Sequence, residues 1–533
     1  MPETAHRPAS YWERHTVPSG LGRSRLEQLA RSVVHEGERD RFEVPVPFTQ
    51  EALGEALTCT PDDVRAAAAR GRKAQGEWAK APLGERRRVL LRFHHLLLER
   101  QREVLDLIQL ESGKARRYAL EEVFDTALVA RHYAIHGARY LRTKRHRGAL
   151  PLLTKAWEYR HPVGVVGFIT PWNFPLILSI TDLLPALFAG NAAVLRPDVQ
   201  SPFTALWAAN LLAEAGLPQD VLTVVTGRGS TLGPVLAKEA DYLMFTGSTR
   251  TGKLVAGMAA ERLLGCSLEL GGKNSMIVLD DAPLAKTVDG LIRGAFTGTG
   301  QVCVSMERAW IPARQFDQFA ECVAERVRAM RLSPELAFGV DMGSLTLPSQ
   351  LQAVRAHIDD AIGKGARILA GGKPRPDIGP LFHEPTVLAG VTPEMRVYAE
   401  ETFGPVISLY PYTSIDEVVQ RANDTAYGLN ASVWSRSAGR AREVAVRIRA
   451  GSVNINEIYA TSWTATAAPT GGMKESGIGR RHGEEGILKY TEAQTVAVQR
   501  ILPLAPPSFL EESRYARLMT LLLRIIRFVP GLR

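Results

Sequence analysis

Val163-Gly164-Val165-Val166-Gly167-Phe168-Ile169 runs directly into Thr170-Pro171-Trp172-Asn173-Phe174-Pro175. Upstream of it the chain is helical in pattern, and at Val163 that pattern changes. The run is short, apolar and β-branched, as a buried strand requires. A helix-like stretch comes next over Leu176 to Phe188, closed by Gly190-Asn191. Ala192 to Leu195 is a second strand. Ser201-Pro202 reads as an N-cap followed by proline at the first helical position, and that helix runs to Gly216. Val221 to Val225 and Tyr242 to Phe245 are further strands. Such β-α-β alternation predicts an α/β fold with a parallel, doubly wound sheet. A second α/β segment begins near Met276 and extends to about residue 460.

Residues 61–141 carry apolar side chains at helical spacing, whereas residues 1–45 are polar and Arg-rich and read as an extended arm. At 533 residues the chain exceeds one ordinary core, so two or three domains are expected. A composition of 45% hydrophobic and 23% charged residues is that of a globular protein. Cys59, Cys266, Cys303 and Cys322 are widely spaced, which argues against a zinc site and a disulfide framework. With no apolar leader after Met1 and no apolar run of spanning length, a reducing cytoplasm is the expected location. The net charge of +9 is largely dispersed, so no nucleic-acid partner is expected.

Cys303 stands directly after Gly300-Gln301-Val302, and Glu269 stands 34 residues before it in Leu268-Glu269-Leu270-Gly271-Gly272-Lys273. A thiolate is a strong nucleophile near neutral pH, and a neighbouring carboxylate can activate water. Together they can form a thioester and hydrolyse it. Asn173, bracketed by Pro171 and Pro175, is a rigidly held amide suited to an oxyanion. Phe245-Thr246-Gly247-Ser248-Thr249-Arg250-Thr251-Gly252 ends a strand and opens a helix, where glycines admit a phosphate or nicotinamide. Glu400-Glu401-Thr402-Phe403-Gly404-Pro405 offers Glu401 to ribose hydroxyls and Phe403 to a nicotinamide face. Each motif alone also fits a plain turn, a buried cysteine or a solvated carboxylate.

In this order, the five motifs closely resemble the aldehyde dehydrogenase superfamily, from about residue 45 to about residue 500. The resemblance implies a Rossmann-type cofactor domain, an α/β catalytic domain and a β-arm used in oligomerisation. It implies Cys303 as nucleophile, Glu269 as general base and Asn173 as oxyanion donor. Thr170, Pro171, Trp172, Arg196, Gly227, Gly247, Ser248 and Gly252 would border the cofactor, with Glu401 and Phe403 on its nicotinamide ribose. Arg308 matches the arginine usual five residues after the nucleophile. The closest subgroup resemblance is to bacterial, NADP-linked succinic semialdehyde dehydrogenases. It is carried by Asp241 to Ser248, Gly271 to Asn274, Phe382 to Leu388 and Arg481-His482-Gly483.

Three departures from the family pattern bear on function. Arg196 replaces a usual lysine, and Val199 stands where NAD-preferring members carry glutamate, so NADP is expected, with NAD as the second cofactor. A carboxylate there would repel a 2′-phosphate, and an arginine can hold one bidentately. The two positions where succinic semialdehyde enzymes carry arginines hold Thr181 and Thr297. With Thr470, which replaces a common phenylalanine, these threonines are the candidate substrate contacts. The segment Asn456 to Pro469 is longer than usual, and Ser305 stands where some relatives place a second cysteine.

The expected organisation is an arm (1–45), a cofactor domain (46–144 and 161–272) and a catalytic domain (273–465). An oligomerisation arm and C-terminal return (145–160 and 466–505) and a basic amphipathic tail (506–533) complete it. The reaction expected is aldehyde oxidation by NAD(P), succinic semialdehyde to succinate, without a metal. The other reading is a broad-range or long-chain aldehyde enzyme at a membrane. A homodimer or homotetramer is expected. In the tail, Arg514, Arg517, Arg524 and Arg527 share one helical arc opposite a broad apolar side. Packing of that side on the body or a partner subunit is favoured over contact with a membrane surface.

Overall fold

The computed structural model describes residues 10–33, 35, 37–147, 154–500 and 505–528. A six-stranded sheet has the order Gly477–Ile478, Gly265–Glu269, Tyr242–Thr246, Val165–Ile169, Ala192–Arg196, Leu222–Val224. All its pairings are parallel except that of Gly477–Ile478 with Gly265–Glu269. Every residue of Val165–Ile169, Ala192–Arg196 and Tyr242–Thr246 is buried, because helices cover both faces. Phe168 is fully buried at the centre; cutting it to alanine would cost about 3–5 kcal/mol. Strand order reverses between Val165–Ile169 and Tyr242–Thr246. A ligand crevice is therefore expected outside their C-terminal ends, at Thr170 and Gly247.

The turn Leu270–Lys273 leads straight into a second sheet of seven strands. Its order is Arg367–Ala370, Thr386–Ala389, Val406–Tyr412, Met306–Pro312, Asn274–Val278, Asn430–Trp434, Ser452–Ile455. All but the first strand run parallel to their neighbours. Cys303 lies just before Met306–Pro312, so the start of this sheet faces the end of the other. The doubly wound reading of the sequence holds. A third, antiparallel sheet joins Thr491–Gln499, Thr154–Pro162 and Lys144–Arg147.

Four local expectations are corrected. Residues 10–33 are folded rather than extended: Leu26, Leu29 and Ala30 of helix Arg23–Ala30 join the main core. Their three- and four-residue spacing was hidden by the surrounding arginines. The helix expected over Leu176 to Phe188 is two helices, Pro175–Ile180 and Leu183–Ala189. Pro185 has no N–H to donate to the carbonyl of Thr181, so one continuous helix loses a bond there. Ser201 does not cap helix Pro202–Glu214 with its side chain. The buried Glu111 does so instead, accepting from Phe203 N at 2.7 Å and Thr204 N at 2.8 Å. Helix Glu512–Ile526 in the tail buries no residue, so packing on the body is not what the chain does.

Candidate active site

Asn173 is fixed by the helix on its C-terminal side. Pro175 opens helix Pro175–Ile180, and the carboxylate of Glu122 accepts from Leu176 N (2.9 Å) and Ile177 N (3.2 Å). Glu122 is itself paired with Lys114 at 2.6 Å, both fully buried. The Asn173 side-chain amide donates to the carbonyl of Gln301 at 2.9 Å, which ties it to the Cys303 loop.

That loop is set by a sharp turn. Gly298, Thr299 and Gly300 have φ of 55°, 62° and 72°. A Cβ on Gly300 would lie 2.1 Å from the carbonyl oxygen of Gly404, so glycine alone lets these loops approach. Thr299 holds a left-handed conformation that costs a non-glycine residue roughly 1–3 kcal/mol. From the other side, Asn274 donates to the carbonyls of Cys303 (2.8 Å) and Ser305 (2.7 Å). A Cβ on Gly272 would lie 2.6 Å from the Cys303 carbonyl. The run Gly271 to Asn274 is therefore a clasp on the nucleophile loop.

Two cavities meet at this point, and Asn173, Thr246, Glu269 and Cys303 line both. One is a cleft of about 330 Å³ at the switch point, lined also by Pro171, Trp172, Gly247, Ser248, Glu401 and Phe403. The other is narrower and mostly apolar, with Phe174, Leu178, Trp463, Thr470 and Arg481 in its walls. A thiol in a wall shared by two cavities can meet one reactant from each side.

The electrostatics fit a poised, neutral resting site. Burial pushes the Cys303 thiol up to about 12, helped by the charges of Glu401 and Glu269. The residue as a whole is partly accessible, but its sulfur is enclosed. Burial also pushes the Glu269 carboxyl up to about 7, against the pull of Arg481 and Lys489. Glu269 Oε1 is buried without a hydrogen-bond partner among the described residues. A carboxylate near neutral pKa with a free oxygen is suited to take a proton from the thiol or from water.

On the cleft side, Glu401 Oε1 accepts from Gly272 N at 2.8 Å, leaving its second oxygen for a hydroxyl. Phe403 has φ of 51° and meets Trp172 edge-on, with ring centroids 5.8 Å apart. Glu307 holds this loop by accepting from Thr402 N and from Phe403 N at 3.0 Å, and it pairs with the buried Lys273. Arg308 is buried and donates to the carbonyls of Lys273 and Ala422, so it braces the clasp.

Other predicted residues sit elsewhere. Gly252 lies outside the cleft lining; a Cβ there would lie 2.4 Å from Leu270 Cδ2, so it serves helix-to-strand packing. The Thr170 backbone N–H donates to the carbonyl of Arg196 at 3.1 Å, joining two strand ends. Arg196 is buried, and its Nε and Nη2 donate to the Gly227 carbonyl at 3.1 and 2.8 Å. It has no ion pair among the described residues, and a Cβ on Gly229 would touch its guanidinium at 3.2 Å.

Of the three threonines, only Thr470 lines the apolar pocket. Thr297 is fully buried and donates to the carbonyl of Arg293 at 2.6 Å, so it is no substrate contact. The Thr181 hydroxyl donates to the Ile177 carbonyl at 2.7 Å and accepts from Arg481. Sequence reasoning missed Asp125, Arg481 and His482 as pocket residues. Asp125 is one of three acids in helix Arg116–Tyr140 and stands in no motif, but Arg481-His482 stood in a recognised motif.

A chain with this site has known counterparts. The Aldehyde dehydrogenase family model matches residues 34–496. A Mycolicibacterium smegmatis protein provisionally named succinate-semialdehyde dehydrogenase (NADP+) is 46% identical over 97% of this chain and 99% of its own length. A Mycobacterium tuberculosis protein of the same provisional name, numbered 2, is 45% identical over 97% of this chain and 100% of its own. An NADP-dependent enzyme of E. coli has a solved structure matching with a TM-score of 0.84 and 33% identity, covering 89% of this chain and 99% of that one. An aldehyde dehydrogenase of Bacillus cereus, solved with NAD+, matches with a TM-score of 0.84 and 32% identity over 90% of this chain and 99% of that one. The chain belongs to the aldehyde dehydrogenase family.

Proposed function

We propose that this chain oxidises succinic semialdehyde to succinate with NADP+, and with NAD+ less well. The observation that carries the reading is the wall shared by two cavities, with Cys303 and Glu269 in it. The aldehyde enters from the apolar side and the dinucleotide from the switch-point side. The names of the mycobacterial relatives support the substrate and the cofactor.

Cys303 attacks the carbonyl carbon after giving up its proton, with Glu269 as the acceptor within the same enclosed space. The oxyanion is held by Asn173 and the backbone N–H of Cys303. A nicotinamide held in the cleft by Trp172, Glu401 and Phe403 would supply the hydride acceptor. Glu269 passes the thiol proton to solvent, then as a carboxylate removes a proton from water, and the resulting hydroxide attacks the thioester carbonyl and displaces the Cys303 thiolate. The cleft residues fit a dinucleotide: Pro171 and Trp172 form one wall, Glu401 offers a free carboxylate oxygen, and Phe403 a ring. For a 2′-phosphate, the support is Arg196, a buried cation with no ion pair among the described residues, together with the apolar Val199. A substrate panel of succinic semialdehyde, hexanal and a long-chain aldehyde, each with NADP+ and NAD+, tests the reading. Equal turnover of hexanal would sink it.

Assembly into a homodimer or homotetramer belongs to the same proposal. Thr491–Gln499 is an edge strand, exposed from Glu492 onward, with Val496 and Val498 outward. Such an edge is a ready template for pairing with another copy. The exposed apolar side of the tail helix would pack there on a neighbouring subunit, with membrane contact the alternative. Among the described residues no helix is long and apolar enough to cross a bilayer. Four free cysteines support a cytoplasmic setting.

A further inference from the structure

The long segment from Asn456 to Pro469 has no part in the chemistry above, yet it reaches the apolar pocket through Ser462 and Trp463. Trp463 ends the short helix Ala460–Trp463. Its ring centroid lies 6.5 Å from that of Phe174 and 4.5 Å from that of Tyr459. It packs against two apolar clusters, one at the pocket with Phe174, Leu178 and Val302, the other in the core of the second sheet. A helix of a single turn has little stability of its own, so it does not fix a large ring unaided. The hold on Trp463 comes from outside the segment.

Arg293, in the last turn of helix Leu284–Phe296, supplies it. Its Nη1 donates to Glu457 Oε1 at 3.0 Å and its Nη2 to Glu121 Oε1 at 3.3 Å. Glu457 Oε1 also accepts from Ile458 N at 2.8 Å, so the ion pair grips the start of the segment by its backbone. The guanidinium carbon stands 5.7 Å from the ring centroid of Trp463 and 5.8 Å from that of Tyr459. A cation over aromatic faces adds to ion pairs that, half-exposed, stabilise little by themselves. The buried Tyr459 donates to the carbonyl of Gly294, the next residue of the same helix, at 2.8 Å. Arg293 also lines a second cavity of about 370 Å³, together with Glu121, Met330 and Arg326. Trp463 lines the aldehyde pocket and Arg293 the outer cavity, and no residue lines both. The contact between these two side chains is a partition between the two spaces.

We propose that Arg293 is a latch that holds Trp463 beside Phe174 as a wall of the aldehyde pocket, and so restricts the enzyme to short aldehydes. The inference rests on the aldehyde dehydrogenase reading above and deepens it, naming chain length as a selected property of the substrate. Arg293 touches no substrate; it is a positioning residue that acts through Trp463. With the latch released, the pocket would open toward the outer cavity and admit a longer alkyl chain.

The test compares kcat/KM for succinic semialdehyde, butanal and octanal, with NADP+, in five proteins. These are the wild type, Arg293→Lys, Arg293→Gln, Trp463→Ala and Arg326→Gln. Arg326 faces the same outer cavity and pairs with Asp289 at 2.6 Å, so it controls for loss of a cation there. Each methylene newly buried is worth about fourfold in affinity. Expected in Arg293→Gln is a rise of roughly tenfold or more in the octanal-to-butanal ratio, with butanal itself within about threefold of wild type. Trp463→Ala should raise the ratio at least as far, whereas Arg293→Lys and Arg326→Gln should keep it near wild type. A ratio raised by Trp463→Ala and unmoved by Arg293→Gln would overturn the latch. A ratio unmoved by both would overturn the wall as well. An equal loss on every aldehyde in Arg293→Gln would make Arg293 a brace of the fold only, and a like rise in Arg326→Gln would remove its special role. A wild type without preference for succinic semialdehyde over butanal would fail the substrate reading, and a risen ratio in Arg293→Gln would still support the latch.

Discussion

The two cavities that meet at Cys303 are built in different ways. The cofactor cleft is made mostly of turns: Pro171 to Asn173, Thr246 to Ser248, Glu269 to Gly271 and Glu401 to Phe403. Each is a short contiguous stretch whose backbone shape matters more than its side chains. The substrate pocket is made of single side chains from distant elements: Asp125 from helix Arg116–Tyr140, Leu178 from helix Pro175–Ile180, Trp463 from helix Ala460–Trp463 and Arg481 from the C-terminal return. A contiguous turn leaves a motif in the sequence, whereas a converging set of side chains leaves none.

Removing the shared wall should cost most. Cys303→Ala is expected to lower turnover by roughly 10⁴-fold or more while cofactor binding changes little. Fluorescence titration with NADPH beside a steady-state assay checks both halves. Residual activity near wild type would mean that the nucleophile is elsewhere and that the two cavities do not meet at the reacting atom.

Glu269→Gln should be milder, at roughly 10²- to 10⁴-fold in steady state, and different in kind. Acylation can still occur with solvent as proton acceptor, so about one equivalent of reduced cofactor per subunit should appear in a burst and then stall. In the wild type the ionised carboxylate is the active form. Because burial raises it to about 7, deacylation should rise with pH through about 7 and fall as the group protonates below it. The variant should lose that limb.

The cleft alone is addressed by Val199→Glu. A new carboxylate near Arg196 should weaken NADP+ by roughly tenfold or more and leave the KM for aldehyde unchanged. Equal effects on NADP+ and NAD+ would contradict the phosphate assignment to Arg196.

Particular residues show how much of this was legible in the sequence. The parallel sheet was legible because Val165–Ile169 and its neighbours are uninterrupted apolar runs between helical stretches. The trio Cys303, Glu269 and Asn173 was legible because glycine- and proline-rich turns flank each of them. The Glu122 cap on the Asn173 helix was not, since nothing in a lone buried glutamate says which helix it will meet. Nor was the Lys273–Glu307 pair, whose partners lie in the turn before one strand and on the strand beside it. Thr297 spends its hydroxyl on the carbonyl of Arg293, a bond that spacing from Cys303 does not encode. Arg481 was visible as a motif but not as a pocket residue, because its direction depends on Asp182 and Lys489.

The smallest effect separates two acids in the substrate pocket's charge cluster. Asp125 and Asp182 are both buried, yet their carboxyls move in opposite directions. Burial raises Asp125 to about 7, and the charge of Arg481 only partly opposes it. Burial acts on Asp182 as well, but Arg481 and Lys489 outweigh it and hold that carboxyl down at about 2. The signs differ accordingly. For Asp125 the folded state binds its proton more tightly than the unfolded chain does. Its cost is absent below the ordinary carboxylate range, grows as pH rises, and is fully present above about 7. For Asp182 the folded state favours the anion, so its contribution is present at neutral pH and is lost as pH falls toward about 2. Asp125→Asn should therefore melt higher than wild type at pH 8.5, by about 1–2 °C, with the gain vanishing near pH 4. Asp182→Asn should melt lower than wild type at pH 7, because two buried cations lose their counterion. Thermal unfolding of the two variants across pH 4 to 9 gives both signs. If both variants moved the same way at neutral pH, Asp125 would be a partner of Arg481 rather than an unpaired acid. The two acids would then act on Arg481 as one charge cluster, and the contrast between them would fall.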